Sequence, residues 1–310
     1  MRIAFLGNDP WSVPPLEALA HDRDSEVALV LTNPPRPAGR GSRLTPTAVA
    51  EAATGLGLPL AEAAGIRGDG REALAAARPE VLVVVAYGEL LTPTALTLAP
   101  GGAINLHFSL LPRWRGAGPV HHAILAGDRI TGVSVMQMDE GLDTGPVLAR
   151  REEPIHDDDD AGALGARLAA IGGALLVETL GLLARADAHA QPQDAALATS
   201  APKLRPQDRI IDWTLDAGAV DRLVRAFAPD PGATTTFRGE GLKVLRGAPT
   251  GGAPTGGTSG TILTEPSGEV AIATGRGAYR LGEVAAAGRR RMSAVEWARG
   301  ARLRPGERLG

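Results

Sequence analysis

The 310-residue chain contains no cysteine, only 3% aromatic residues and no long unbroken apolar run. Without cysteine, a disulfide framework, thiolate metal ligation and a cysteine nucleophile are all excluded, and an intracellular setting is the easier reading. Scarce aromatics leave core packing to alanine, valine and leucine. Met1 leads directly into RIAFLG, a buried-strand pattern too short for a signal-peptide core, and no later stretch approaches about eighteen consecutive apolar residues. A cytoplasmic protein with no membrane partner is therefore expected. Several phosphate and hydrolase motifs are missing as well. The turn after the first predicted strand reads Gly7-Asn8-Asp9-Pro10-Trp11, not the G-x-G-x-x-G through which backbone approaches a pyrophosphate. A Walker loop, an H-E-x-x-H pair and a G-x-S-x-G elbow are likewise absent, which removes the commonest nucleotide, zinc and serine-hydrolase readings.

What is present is an ordinary globular composition, 44% apolar and 22% charged, in a chain long enough for two domains. The net charge of −3 is unevenly spread: residues 1–202 carry 15 Lys+Arg against 24 Asp+Glu, and residues 203–310 carry 17 against 11. A basic second half suits a polyanion such as nucleic acid, although a modest excess is as often only a solvated surface. The first half alternates strands and helices: RIAFLG, a helix from Pro14 to His21, EVALVLT, a helix around Pro46 to Ala53, then VLVVVAY, GAINLH and TGVSVMQM. That order predicts an α/β domain with a Rossmann-like, mostly parallel sheet. A long helix follows from about Asp160 to Ala186. The four aspartates Asp157 to Asp160 before it read as helix-capping rather than metal-binding, because four consecutive acids cannot all face one ion. Between Ala186 and Pro202 the periodicity dissolves, marking a linker. A helix near Ala217 to Phe227 and five short strands separated by glycine turns then predict a small β-barrel. The expected organisation is a domain over 1–186, a linker over 187–204 and a barrel over 205–310. Gly247 to Gly260, with its repeated APTGG, reads as a hairpin loop.

Chemistry concentrates in GGAINLHFSLLPRWRGAGP, Gly101 to Pro119. In a strand, Asn105 and His107 point to one face, and open parallel sheets bind ligands at the carboxyl ends of their strands. Asp143, in the glycine-bounded run MDEGLDTG, supplies a carboxylate able to reach a histidine distant in sequence. Acyl transfer to an amine needs a donor for a developing oxyanion and a proton carrier, roles for which Asn105 and His107 are suited, with Asp143 fixing the imidazole. Taken singly, a histidine after a strand or an asparagine at a turn is usually structural; the combination carries the reading. His121 and His122 fall in a helix, on different faces, and read as structural.

NLHFSLLPRWRGAGP at Asn105 to Pro119, MDEGLDTG at Met138 to Gly145, NPPRPAGRGSRL at Asn33 to Leu44, VVVAYG at Val83 to Gly88 and APKLRPQDRIIDW at Ala201 to Trp213 together resemble the methionyl-tRNA formyltransferase family over nearly the whole chain. The NLHxSLLP run with a distant GLDTG marks folate-dependent formyl transfer generally and identifies the donor, not the acceptor. The resemblance implies that Asn105, His107 and Asp143 act on the formyl group of 10-formyltetrahydrofolate, with no metal. It implies that Tyr87, Gly88, Ser109, Leu110, Leu111 and Pro112 line the folate site. It further implies an oligonucleotide-binding-type C-terminal barrel, with Arg36, Arg40 and Arg43 of RPAGRGSRL, which reads as a long exposed loop, and Lys203 contacting methionyl initiator tRNA, in a monomer.

Three departures touch the acceptor side: GNDPW replaces the family's Gly-Thr-Pro turn, Ser42 and Arg43 stand where lysines often follow GRG, and PDPGATT lacks the aromatic often found there. Two other readings stay open: a formyltransferase acting on a sugar-nucleotide or other small amine, and a non-catalytic RNA-binding module on the same fold.

Overall fold

The computed structural model describes residues 1–38, 43–250, 258–264, 268–304 and 306–310. It contains two compact units, one formed by Met1–Pro119, Ile130–Pro154 and Gly165–Lys203, the other by Val120–Arg129, Ile155–Leu164 and Leu204–Gly310.

The first half of the chain runs β1 (Arg2–Gly7), α1 (Val13–His21), β2 (Glu26–Thr32), β3 (Arg36–Ala38), β4 (Arg43–Thr45), α2 (Ala48–Gly55), β5 (Leu60–Glu62) and α3 (Asp69–Ala77). It continues through β6 (Val81–Val85), α4 (Pro93–Leu96), β7 (Ala103–His107), α5 (Pro119–Ala126), β8 (Ile130–Gln137), β9 (Val147–Pro154) and α6 (Ala161–Ala184). A seven-stranded sheet forms in the order β5-β2-β1-β6-β7-β8-β9. Strands β5 to β7 are parallel, and β8 and β9 add antiparallel. The VLVVV run is the reason β6 lies inside: all five residues are buried, as covering a parallel sheet on both faces requires. Strand order reverses between β1 and β6, which opens the crevice at their carboxyl ends where such sheets receive ligands.

Helix α6 is long and apolar enough to cross a membrane by length and composition. In this fold its glycines let other elements approach. A Cβ at Gly172 would lie 2.6 Å from Cδ2 of Leu106, and one at Gly173 would lie 3.0 Å from the Ala18 methyl. Leu106 thus seats against the helix backbone, on the sheet face opposite to Asn105 and His107. Asp160, predicted as a cap, accepts the Ala163 N–H at 2.8 Å.

In the second unit α7 (Ala217–Phe227) turns Val220, Val224 and Phe227 inward, and the Asp216 side chain caps it. Strands β10 (Ala233–Phe237), β11 (Glu240–Thr250), β12 (Ile262–Thr264), β13 (Val270–Ala273), β14 (Ala278–Ala286) and β15 (Met292–Ser293) make an antiparallel sheet. Its path is β10-β11-β14-β13-β12, with β15 on β14. Helix α8 (Ala294–Ala301) starts at a Ser293–Glu296 capping box and sets Trp297 edge-on to Phe237. The expected barrel is a half-barrel whose edge strands do not pair directly. The gap is spanned by Glu307 to Gly310: Ile262 N–H donates to Glu307 O at 2.8 Å, Leu309 N–H to Gly260 O at 2.9 Å and Gly310 N–H to Thr236 O at 3.1 Å. Edge groups that would otherwise stay open are thereby satisfied.

Gly172→Val is expected to destabilise the fold by about 1–3 kcal/mol, because the added methyls displace Leu106 from a filled site. Urea unfolding followed by circular dichroism checks this, and an unchanged midpoint would contradict the packing argument.

Candidate active site

Strand β7 carries the site because both its neighbours hold it in register. Asn105 lies between Val84 of β6 and Met136 of β8, and His107 lies opposite Ser134. The two side chains share one face by strand alternation. Among the described residues the Asn105 amide has no hydrogen-bond partner and is part-exposed, so its N–H groups are open to a ligand.

His107 is 5% exposed. Its Nε2 lies 2.9 Å from the Trp114 carbonyl oxygen, and its Nδ1 lies 3.6 Å from Asp143 Oδ2. A carbonyl only accepts, so Nε2 carries the hydrogen and Nδ1 is the ring nitrogen that faces the carboxylate. The 3.6 Å separation is within ion-pair reach and beyond hydrogen-bond length; such contacts often tighten when substrate binds. The Trp114 carbonyl is a partner that sequence reasoning missed, and a main-chain group leaves no signal in residue type.

Asp143 comes to the site through its loop. Its Oδ2 accepts the Gly116 N–H at 2.8 Å, while Oδ1 has no hydrogen-bond partner among the described residues. Asp139 organises that loop by accepting from Gly141 N–H at 3.0 Å and Thr144 Oγ1 at 2.7 Å. Gly145 packs so closely on the Gln137 carbonyl that no Cβ could fit. Asp143, Trp114 and Ala86 all adopt positive φ, at 54°, 63° and 42°. Each such residue costs on the order of 1–3 kcal/mol, and strain of this kind clusters where geometry serves function.

The residues expected around a folate are arranged unequally. Gly88 has φ 85° and open space where a Cβ would stand, so its backbone is accessible. Tyr87 is 2% exposed, packed in the core beneath the sheet's carboxyl end, and its buried hydroxyl has no partner among the described residues. Ser109 is fully buried and occupied: its Oγ donates to Arg113 O at 2.6 Å, and its carbonyl accepts from Ser134 Oγ at 2.7 Å. Leu111 packs with Met136 and Val147, whereas Leu110 and Pro112 are part-exposed. The 109–112 run therefore divides between a tight internal turn and an open edge.

Asn8 was not anticipated. From the GNDPW turn its Nδ2 donates to the Tyr87 carbonyl, and its Oδ1 accepts from Thr32 Oγ1 at 2.9 Å and from Asn33 N–H at 2.7 Å. One side chain thus ties together the carboxyl ends of β1, β2 and β6. Its place in the first turn at the switch point was the available signal.

The arginine-rich segment is a two-stranded hairpin, not an irregular loop: Arg36 pairs Thr45, Pro37 pairs Leu44 and Ala38 pairs Arg43. In that register Arg36 and Arg43 share a face, and both are exposed. Arg40 lies outside the described residues. Lys203 is exposed. In the second unit burial pushes His121 down to about 4, with His122 adding to the effect, so this ring is neutral near pH 7. No group of three or more His, Asp or Glu side chains among the described residues is placed to hold a metal ion.

Residues 1–180 match the family described as formyl transferase, and residues 203–302 match the formyl transferase C-terminal domain. The chain belongs to the formyl transferase family. The methionyl-tRNA formyltransferase of Aromatoleum aromaticum is 44% identical over 310 residues, covering 100% of this chain and 97% of that protein. Among solved structures, HypX from Aquifex aeolicus in complex with tetrahydrofolic acid has a TM-score of 0.66 at 19% identity, covering 96% of this chain, which spans 47% of HypX. The N-formyltransferase from Helicobacter canadensis, in complex with folinic acid and dTDP-3-aminofucose, has a TM-score of 0.64 at 15% identity, covering 90% of this chain and 98% of its own. At these identities the two structures speak to fold.

In this formyl transferase both tyrosines are held as neutral phenols. Burial, helped by the charge of Glu89, pushes Tyr87 up to about 12, and burial with Asp221 beside it pushes Tyr279 up further. A raised phenol value means the fold holds the proton more tightly, so the stability it contributes is complete below the ordinary value of 10 and is lost as pH rises toward 12. At a pH of about 11, ultraviolet tyrosinate absorbance is expected to be small in the folded protein and near complete in urea. Native absorbance equal to the unfolded value would contradict this.

Proposed function

We propose that this protein transfers the formyl group of 10-formyltetrahydrofolate to the α-amino group of methionyl initiator tRNA, in the cytoplasm. The observation that carries the reading is the 44% identity to a methionyl-tRNA formyltransferase over the entire chain, the second unit included. A small-amine formyltransferase needs the triad but not that whole-length likeness; fold alone does not separate the acceptors. In this reading residues 1–186 form the catalytic domain, 187–204 the linker and 205–310 the tRNA-binding domain.

The donor supplies an activated formyl carbon bound to a departing folate nitrogen. The unpartnered Tyr87 hydroxyl, the open backbone at Gly88 and the part-exposed Leu110 and Pro112 suit a heteroaromatic ring with polar edges. Asn105 donates its free amide N–H to the formyl oxygen, where negative charge builds as the amine attacks. Asp143 Oδ1, the carboxylate oxygen without a partner, accepts the proton leaving the amine, and the proton is returned to the departing nitrogen. His107 faces Oδ2 through Nδ1 and flanks the carboxylate while its Nε2–H stays on Trp114 O. This route differs from a shuttle centred on His107, because the Nε2–H of that ring is held by Trp114 O and its Nδ1 faces Asp143.

In a transfer assay with 10-formyltetrahydrofolate, Asn105→Ala and Asp143→Ala are each expected to lower kcat by roughly 10²–10³-fold. Charged initiator tRNA is expected to be formylated and a nucleotide-sugar amine not. Formylation of the small amine alone would favour the small-acceptor reading, and no transfer to either would favour a non-catalytic module.

Arg36 and Arg43 of the hairpin, together with Arg40 and Lys203, are assigned to the RNA. Arg36→Ala and Arg43→Ala are expected to raise KM for tRNA while leaving KM for the folate donor unchanged, and each to reduce the slope of log affinity against log salt by about one. An unchanged slope would remove that residue from the RNA surface.

A further inference from the structure

We infer that Gln193 is a positioning residue, an amide that clamps the Asp143 loop to the loop holding His107. The inference rests on the proposed role of Asp143 in formyl transfer. Residues 187–203 contain almost no regular structure, yet they cross both loops of the site. Val147 and Gln191 exchange two main-chain hydrogen bonds of 2.8 Å. Trp114 N–H donates to Thr199 Oγ1 and Arg115 N–H to Thr199 O, both at 2.8 Å, and Ala201 N–H donates to Arg115 O at 2.7 Å. At Gly116, φ 122°, a Cβ would stand 2.5 Å from Ala201 O, so the strap fits there only against glycine.

Gln193 sits in the middle of this strap. Its Nε2 donates to Asp143 O at 2.9 Å and Gly145 O at 2.6 Å, while its Oε1 accepts from Arg115 Nε at 3.0 Å and Nη2 at 2.7 Å. The orientation of the amide is fixed by chemistry, since guanidinium only donates and carbonyls only accept. Both hydrogens and both lone pairs of the amide are used. Arg115 stands between Trp114, whose carbonyl holds His107, and Gly116, whose N–H holds Asp143. A single side chain therefore spans the two loops whose separation sets the distance from Asp143 to His107, and grips the carbonyl of a residue held at φ 54°. Released from that grip, Asp143 has ordinary backbone conformations to relax into, and the carboxylate leaves its place.

The test is a double-mutant cycle on the full-length enzyme with 10-formyltetrahydrofolate and methionyl-tRNA. Gln193→Ala is expected to lower kcat about tenfold or more, with KM for both substrates held within about twofold, as misplacement of a reacting group does. In an Asp143→Ala background the same change is expected to alter kcat by less than about twofold, since the group it positions is gone. Gln193→Glu keeps the Arg115 pair but turns a carboxylate on two carbonyls, and Gln193→Met keeps the length without the amide; both are expected to lose as much as Gln193→Ala. Thermal denaturation of each variant comes first, and any one unfolded at the assay temperature is replaced by another of the three. An equal loss in both backgrounds, full activity of Gln193→Ala, or a rise in KM at unchanged kcat would each overturn the inference. Full activity of Asp143→Ala is a separate outcome, which would overturn the proposed function of the site instead.

Discussion

The gap between the His107 ring and the Asp143 carboxylate is set by main-chain groups on two loops, and the chemistry assigned to the site depends on that gap. Neither side chain grips the other: Nδ1 and Oδ2 stand 3.6 Å apart. The imidazole is oriented by the Trp114 carbonyl and the carboxylate by the Gly116 N–H, two groups separated by one residue. A tight turn thus aims an acceptor at one partner and a donor at the other. Because Trp114 and Asp143 both lie at positive φ, the arrangement holds only while surrounding contacts outweigh the local backbone preference. The sheet supplies a rigid base through β7, and the loops supply the aim.

Around that pair the protein offers neutral donors. Asn105 presents a free amide, and Tyr87 stays a phenol well past physiological pH because burial and Glu89 disfavour its anion. Asn8 spends its own polar groups on holding three strand ends together. Neutral, fixed dipoles suit a reaction in which charge appears on one oxygen and then disappears: they stabilise the charge without retaining the charged product of a permanent ion pair. Asp143 is the exception, and the proposed transfer uses it as the proton acceptor.

How much of this was legible in the sequence follows from the range of each interaction. The strand period put Asn105 and His107 on one face, and helix periodicity located α7 from Ala217 to Phe227. Those are local rules. Asp143 entered only as a carboxylate in a glycine-bounded loop and, through the resemblance, as their partner, since no spacing rule brings a loop residue to a histidine thirty-odd positions earlier. The RPAGRGSRL segment read as a loop because proline and glycine suppress strand patterning, yet main-chain pairing of Arg36 with Thr45 needs no side-chain pattern. The strap over residues 187–203 was opaque for the same reason. Its contacts are isolated main-chain bridges, the Thr199 hydroxyl and one glutamine amide, and none of these produces periodicity. The half-barrel's closure by Glu307 to Gly310 joins edges far apart in sequence and has no local signature either.

The second half of the chain shows why formal charge is a poor measure of a nucleic-acid surface. Its excess of 17 basic over 11 acidic residues includes Arg225 beside Asp221, Arg238 beside Glu307, Arg280 beside Glu269 and Arg291 beside Glu283. A guanidinium with a carboxylate against it presents a phosphate with little net field, and to bind one it must either carry the carboxylate along or exchange partners. Lys243 and Arg246 have no such partner among the described residues. Counterion release follows the contacts made, not the charges counted. The field that this half of the chain offers a polyanion is therefore smaller than its net charge implies.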